Sequence, residues 1–339
     1  MTEYRSRILQ LAFGPMIGHL VNTALRLGVL DRIGEGGRSA EELAAEGKTD
    51  LQSTTRLLRA LTGIGLLTET VPGVFATTET GACLRTDHPE SMAYVARLLT
   101  EPSMLRSWEH LGESVRTGEP SFPKVFGTDY FSFLKDNPEL SENFNIAMSQ
   151  GTRNTAELLP VACDFGRFGT VADIGGGDGT LLAGVLRANP ALRGILYDSA
   201  EGLSQAAAKL EEAGLAGRCD LVTGDFFASA PAGADAYLLK SVLHDWSDDR
   251  AATILRHVRS VLPPEGRVIV VEAVLPDMAD GREGGMNYLS DLNMLVNLGG
   301  RERTRDDFAE LFSRADLSLV SVVPVGPEVP YFVIEAVAA

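Results

Sequence analysis

The spacing of hydrophobic positions changes along the 339-residue chain, and each change marks a change of architecture. In the first hundred residues the period is helical. Pro15 suits a first helical turn, and Ile17, Leu20, Val21, Ala24 and Leu25 then recur on one face. Ser39 followed by Glu42 has the form of a capping box, with Gly47 as a stop signal. Leu57, Leu58 and Leu61 mark a second helix. Leu66–Thr70 and Val74–Thr77, joined by Val71-Pro72-Gly73, read as strand, turn and strand. Two helices and a two-stranded wing outline a winged helix. Residues 101–158 return to helical spacing and carry Trp108, Phe131, Phe144 and Met148. From 159 onward strands alternate with helices. Val171–Ile174, Ile195–Tyr197, Leu221-Val222, Tyr237–Leu239 and Val268–Val271 are short apolar runs, the mark of strands buried on both faces of a mainly parallel sheet. Leu317–Val323 and Tyr331–Val337 have no helix between them and are expected to pair antiparallel. The expected fold is α/β, with domains at 1–100, 101–158 and 159–339.

Composition narrows the function. Hydrophobic residues make up 45% and charged residues 22%, values of an ordinary globular protein. No run approaches the ~18 uncharged apolar residues of a membrane span. Met1-Thr2-Glu3-Tyr4-Arg5 has no basic leader, so a cytoplasmic protein is expected, with Cys83, Cys163 and Cys219 as reduced thiols. The net charge of −16 opposes nucleic acid and anionic membranes as partners. The wing region argues the same way: residues 38–86 hold five basic and six acidic side chains, where a DNA reader needs a basic face.

Asp173-Ile174-Gly175-Gly176-Gly177-Asp178-Gly179 follows a strand and precedes the apolar helix Leu181–Leu186. Glycines there permit a tight turn and close approach to a ligand, although the same loop also serves as a plain strand–helix turn. Asp198 ends the next strand, where a carboxylate can accept from ribose hydroxyls. A dinucleotide site requires G-x-G-x-x-G, and Thr180 stands at the last position, which disfavours a nucleotide dehydrogenase. Asp173 and Asp178 flank the turn and oppose a phosphate. They suit a cofactor bearing an amino group, a character that S-adenosylmethionine has.

Together with Gly224-Asp225-Phe226-Phe227, Lys240-Ser241-Val242-Leu243-His244-Asp245-Trp246 and Gly299-Gly300-Arg301-Glu302-Arg303-Thr304, this loop resembles the S-adenosylmethionine-dependent O-methyltransferases. The resemblance is to the caffeate-type and bacterial natural-product family and spans nearly the whole chain. It implies a Rossmann-like methyltransferase sheet with an antiparallel last strand, preceded by a winged-helix-like domain through which two copies form a homodimer. It implies a cofactor site of Asp173, Gly175, Gly177, Asp198, Gly224, Asp225, Phe226, Lys240 and Ser241, with S-adenosylhomocysteine as product and no metal. The family usually has Leu-Pro after the ribose carboxylate, where Ser199-Ala200 stand here.

His244 is the expected general base. It follows a strand at the carboxyl edge where open α/β sheets bind ligands, and a histidine titrates near neutrality. By resemblance Glu272 and Glu302 flank and orient it. The resemblance also implies a pocket for a small aromatic acceptor lined by Trp108, Phe144, Met148, Asn287, Leu292 and Met294, with Asp245 facing it, although such side chains at helical spacing also serve as plain core. Methylation of carbon or nitrogen on the same scaffold is the alternative chemistry, and some relatives have lost methyl transfer for other reactions. A winged-helix regulator is the reading from outside enzymology.

Overall fold

Ser39 begins its helix as its sequence predicts. Its hydroxyl accepts from the Glu42 amide at 3.2 Å, and the Glu42 carboxylate accepts from the Ser39 amide at 2.8 Å, so two otherwise orphaned donors of the helix Ala40–Gly47 are satisfied. The helix stops at Lys48, in the left-handed conformation, one residue past the expected Gly47. The computed structural model describes residues 3–279, 285–327 and 329–339. The chain divides into Met1–Leu105 with Ile146–Gln150, and Arg106–Asn145 with Gly151–Ala339.

In the first unit, Ala24, Leu25, Leu30, Leu43, Leu58, Leu61 and Phe75 form the core. Strand β1 (Arg38–Ser39) pairs antiparallel with β3 (Val74–Thr77), and β3 pairs with β2 (Leu67–Val71), which gives the wing a third strand beyond the expected two. The helix Gly14–Arg26 buries only its C-terminal half in this core. Ile8, Leu11, Phe13 and Met16, on this helix and the segment before it, are each more than half exposed.

In the second unit the apolar runs become β4 (Thr170–Ile174), β5 (Arg193–Asp198), β6 (Cys219–Thr223), β7 (Ala236–Lys240) and β8 (Arg267–Glu272). Two short strands follow, β9 (Val274–Leu275) and β10 (Arg303–Thr304), which pair parallel with each other. The long strands β11 (Leu317–Pro324) and β12 (Phe332–Ala338) complete a seven-stranded sheet among the described residues, in the order β11-β12-β8-β7-β4-β5-β6. All neighbours are parallel except β12, which runs antiparallel to β8 and to β11. The α/β expectation, including the reversed last strand, is met. Core side chains fill both faces, as strands without polar alternation require. Strand order reverses between β4 and β7, and the crevice at their carboxyl ends is where such sheets hold ligands.

Of the stretch 101–158, residues 106–145 and 151–158 fall in the second unit. Trp108, Ser121 and Phe131 bind it to the second unit: the Trp108 indole donates to Asn293 at 3.0 Å, the Ser121 amide donates to the Val296 carbonyl at 3.0 Å, and Phe131 stacks on Trp246. Ile146–Gln150 joins the first unit, where Gln150 accepts from the Tyr94 amide.

Two serines at helix starts make a paired test. Ser39 caps through its side chain, whereas Ser247 occupies the same position before Asp248–Val261 with no side-chain bond. Ser39→Ala is expected to lower unfolding free energy by about 1 kcal/mol, and Ser247→Ala by less than about 0.5 kcal/mol, measured by urea denaturation.

Candidate active site

The carboxyl ends of β4, β5, β7 and β8 bring together Asp173, the glycine loop, Asp198, Lys240 and Glu272, all picked out from the sequence. The loop after β4 holds Gly175, Gly177 and Gly179 at φ of 69°, 58° and 79°, a left-handed succession that other residues adopt at a cost. A side chain at Gly175 would strike Val242, with Phe226 just beyond. Asp198 secures the loop from the next strand: Oδ2 accepts from the Gly177 amide at 2.8 Å and Oδ1 from the Ser199 amide at 2.6 Å. Burial pushes the Asp198 carboxyl above its ordinary value against those two donors.

Asp173 and Asp178, read from sequence as equivalent, differ. Asp178 is already engaged. Its Oδ1 accepts from the amide and hydroxyl of Thr180, and its other oxygen pairs with the Lys209 ammonium, so its carboxyl lies below the usual range despite burial. Asp173 is 1% exposed, and its Oδ2 has no partner among the described residues. Burial, with the negative charge of Asp198 added, pushes its carboxyl up to about 7. An orphaned buried carboxylate oxygen beneath a loop of left-handed glycines fits a cofactor with an amino group, which Asp173, Gly175, Gly177 and Asp198 could hold.

Beside them Lys240 donates to the Ser241 hydroxyl at 3.2 Å and lies 4.8 Å from the centre of the Tyr331 ring. Ser241 takes a φ of 52°, unusual for a residue with a side chain and typical of functional edges. The Lys240 charge holds the Tyr331 phenol below its ordinary value. Gly224 abuts the Tyr197 ring and donates to the Asp198 carbonyl, which sets the position of Asp225 and Phe226 after it. The Asp225 carboxylate accepts from the Phe227 amide at 2.8 Å, a local turn bond.

His244 lies on a single 3-10 turn, Leu243–Asp245, just past β7. Its Nδ1 donates to Glu302 Oε1 at 3.1 Å, and Asp245 Oδ1 is 3.4 Å from Nε2. Glu302 Oε1 also accepts from the Ser290 hydroxyl at 2.8 Å. Glu302 flanks the ring, and Glu272 meets the backbone of the same turn. Its Oε1 accepts from the amides of Val242, Leu243 and His244 at 3.1, 2.7 and 3.2 Å, so it grips the turn and acts on the imidazole through its charge. Burial alone would lower the His244 value, but Asp245, Glu302 and Glu272 outweigh it and raise the imidazolium to about 10. Burial raises Asp245 to about 7 against the pull of His244.

Of the residues expected around the acceptor, Trp108, Asn287, Leu292, Met294, Phe144 and Asp245 belong to this unit. Met148, 40% exposed, falls in the five-residue stretch that joins the first unit. Phe144 packs edge-on against Phe131, which stacks on Trp246. The sequence reading missed Asn293. Its Oδ1 accepts from both Trp108 and Asn297, one turn of helix Gly285–Asn297 from Ser290. Ser290 itself, which steadies Glu302, was also missed, since neither residue stands in a motif.

A Rossmann-like sheet with this loop and this histidine defines a methyltransferase, and comparison with known proteins agrees. The O-methyltransferase domain family matches residues 108–318, and the O-methyltransferase dimerisation domain matches residues 9–87. The chain is 46% identical to the O-demethylpuromycin-O-methyltransferase of Streptomyces alboniger, over 98% of this chain and 89% of that protein. It is 40% identical to the phenazine O-methyltransferase of Lysobacter antibioticus, over 94% and 92%. A solved O-methyltransferase from neocarzinostatin biosynthesis, in complex with S-adenosylmethionine and 2-hydroxy-5-methyl naphthoic acid, superposes with a TM-score of 0.82 at 33% identity, covering 95% of this chain and 96% of that one. The chain belongs to the S-adenosylmethionine-dependent O-methyltransferases of natural-product biosynthesis.

The raised histidine value has a consequence for stability. An imidazole near 6.5 when unfolded and about 10 when folded stabilises the fold fully below pH 6.5, and that contribution is lost as pH rises through 10. Replacing the group whose folded-state value lies in this alkaline range removes its share of the decline and leaves the other titrations in place. His244→Gln is expected to flatten the alkaline decline in urea midpoint over this window, and an identical decline in both proteins would contradict the assignment.

Proposed function

We propose that this enzyme methylates a hydroxyl group of a small aromatic acceptor and that His244 takes the hydroxyl proton. The bond from Nδ1 to Glu302 carries the reading. A carboxylate accepting at Nδ1 fixes the tautomer of the neutral ring and leaves its Nε2 as the nitrogen able to receive a proton. Because the ring is held as imidazolium up to about pH 10, the fraction in this working form grows as pH rises. The cofactor supplies a methyl group on a positively charged sulfur. Asp173, Asp198, the glycine loop and Lys240 bind and orient it, with Gly224, Asp225, Phe226 and Ser241 completing the edge. His244 takes the proton as the acceptor oxygen attacks. Glu302 and Asp245 stabilise the imidazolium at its two nitrogens, while Glu272 holds its turn.

An aromatic acceptor is supported by the half-buried Trp108, by Phe144 on its ring cluster and by Met294, with Asn287 and Leu292 on the same helix. The naphthoic acid in the neocarzinostatin relative supports it too. A homodimer is supported by the dimerisation domain and by the exposed Ile8, Leu11, Phe13 and Met16, apolar surface that a second copy would cover.

Transfer of an isotopically labelled methyl from S-adenosylmethionine to a panel of phenols, anilines and activated ring carbons, with mass analysis of the products, tests the chemistry. Label on a phenolic oxygen is expected, with turnover unaffected by a metal chelator. His244→Ala should lower turnover of an un-ionised phenol by about 10²–10⁴-fold with affinity for S-adenosylhomocysteine unchanged, and Glu302→Gln should cost less. Label found on nitrogen or carbon alone, or an unaltered His244→Ala rate, would overturn the reading.

A further inference from the structure

The turn that carries His244 is too short to hold itself. It is a single 3-10 turn, and its amides are already committed to Glu272. On the carbonyl side, Leu243 at the start of the turn and Trp246 just after it both meet Arg303. This arginine is 0% exposed, the bulkiest fully buried side chain among the described residues. Its Nη1 donates to the Leu243 carbonyl at 2.9 Å, and its Nη2 donates to the Trp246 carbonyl at 3.0 Å. Nε and Nη2 both donate to Asp248 Oδ1, at 3.0 and 2.8 Å. The same segment reaches the carbonyl between those two, since the Arg301 amide donates to His244 O at 2.9 Å. Any side chain at Gly300 would fall on the His244 carbonyl, so this approach requires glycine.

We propose that Arg303 is a positioning residue for the methyl-transfer base: its guanidinium fork ties the carbonyls on either side of His244 to Asp248 and so holds the imidazole in line with the acceptor. Glu272 grips the amide side of the turn and Arg303 the carbonyl side, so the ring is presented from a backbone held on both sides. A fully buried guanidinium is costly unless its donors are used, and here they are shared among two carbonyls of the turn and one carboxylate. The charge has a second effect. Burial raises Glu272 against the pull of His244 and then of Arg303, and Arg303 adds to the bonds and charge of His244 that hold Glu302 below its ordinary value. Lysine carries the charge without the planar fork, and the exchange separates geometry from electrostatics.

The proposal rests on His244 as base, and the experiment keeps the two apart. Arg303→Lys and Asp248→Asn are compared with wild type and with His244→Ala on two acceptors, one un-ionised phenol and one acidic enough to arrive ionised. Asp248 is 37% exposed, so its variant tests the same tie at a site that tolerates change. The expected result for Arg303→Lys is a fall in kcat of about 10–100-fold on the un-ionised phenol, a clearly smaller fall on the ionised one, and affinity for S-adenosylhomocysteine by calorimetry unchanged within about twofold. Asp248→Asn should show the same pattern more weakly. In a His244→Ala background, Arg303→Lys should cost little further, because it acts through the ring that is gone. Equal losses on both phenols, additive losses with His244→Ala, or no loss would overturn the proposal. If Arg303→Lys shows no cooperative melt, Asp248→Asn decides by the same criteria. A His244→Ala protein with no preference between the phenols would instead remove the base reading itself.

Discussion

Glu272 ends its strand with a buried carboxylate, and three consecutive amides converge on one of its oxygens. A buried carboxylate without donors would protonate or destabilise the fold, and a turn with unpaired amides would be equally costly. Each solves the other's problem, and the solution fixes where His244 begins. Once the backbone is fixed, the side chain needs only one further bond, from Nδ1 to Glu302, to present Nε2. The parallel sheet supplies the frame, because β8 ends where Glu272 must stand and β7 ends where the turn must start.

The cofactor half of the site is built on the same edge by a different means. There the ligand-binding shape is backbone, a loop of left-handed glycines restrained by Asp198 from β5. Charge is divided with care between the two acids of the loop. Asp178 is neutralised by Lys209 and serves the loop itself, while Asp173 keeps an unpartnered oxygen. The two halves meet through Val242, which lies against Gly175 and begins the histidine turn. Methyl transfer depends on alignment of two bound molecules with a base, and a shared edge of one rigid sheet is an economical way to provide it.

Much of this was legible in the sequence. Strand and helix alternation from β4 onward gave the sheet, since strands buried on both faces read as unbroken apolar runs. The capping box at Ser39 was legible for a similar reason, as it depends on contacts three residues apart. The site residues at strand ends were visible because motifs mark them. What stayed hidden was anything set by long-range packing. Arg303 lies within a recognisable motif, yet its burial and its ties to Leu243, Trp246 and Asp248 depend on residues more than fifty positions away. Asn293 and Ser290 lie on the same helix as the expected Asn287, Leu292 and Met294, and only the packing of Trp108 and Glu302 shows which stripe of that helix is engaged. That Glu272 reaches the histidine through the backbone amides of its turn was not legible, because a glutamate beside a histidine can bond to the ring or to the backbone.

The central claim is that an imidazole held by carboxylates removes the acceptor's proton. It is tested most directly by the rate of methyl transfer across a series of substituted phenols of graded acidity, measured for wild type and His244→Ala at one pH under saturating cofactor. Wild-type rates should vary little across the series. The variant's rates should fall steeply as the phenols become less acidic and should meet the wild-type line at the most acidic members. Two parallel lines, with the same sensitivity to phenol acidity in both proteins, would contradict the account.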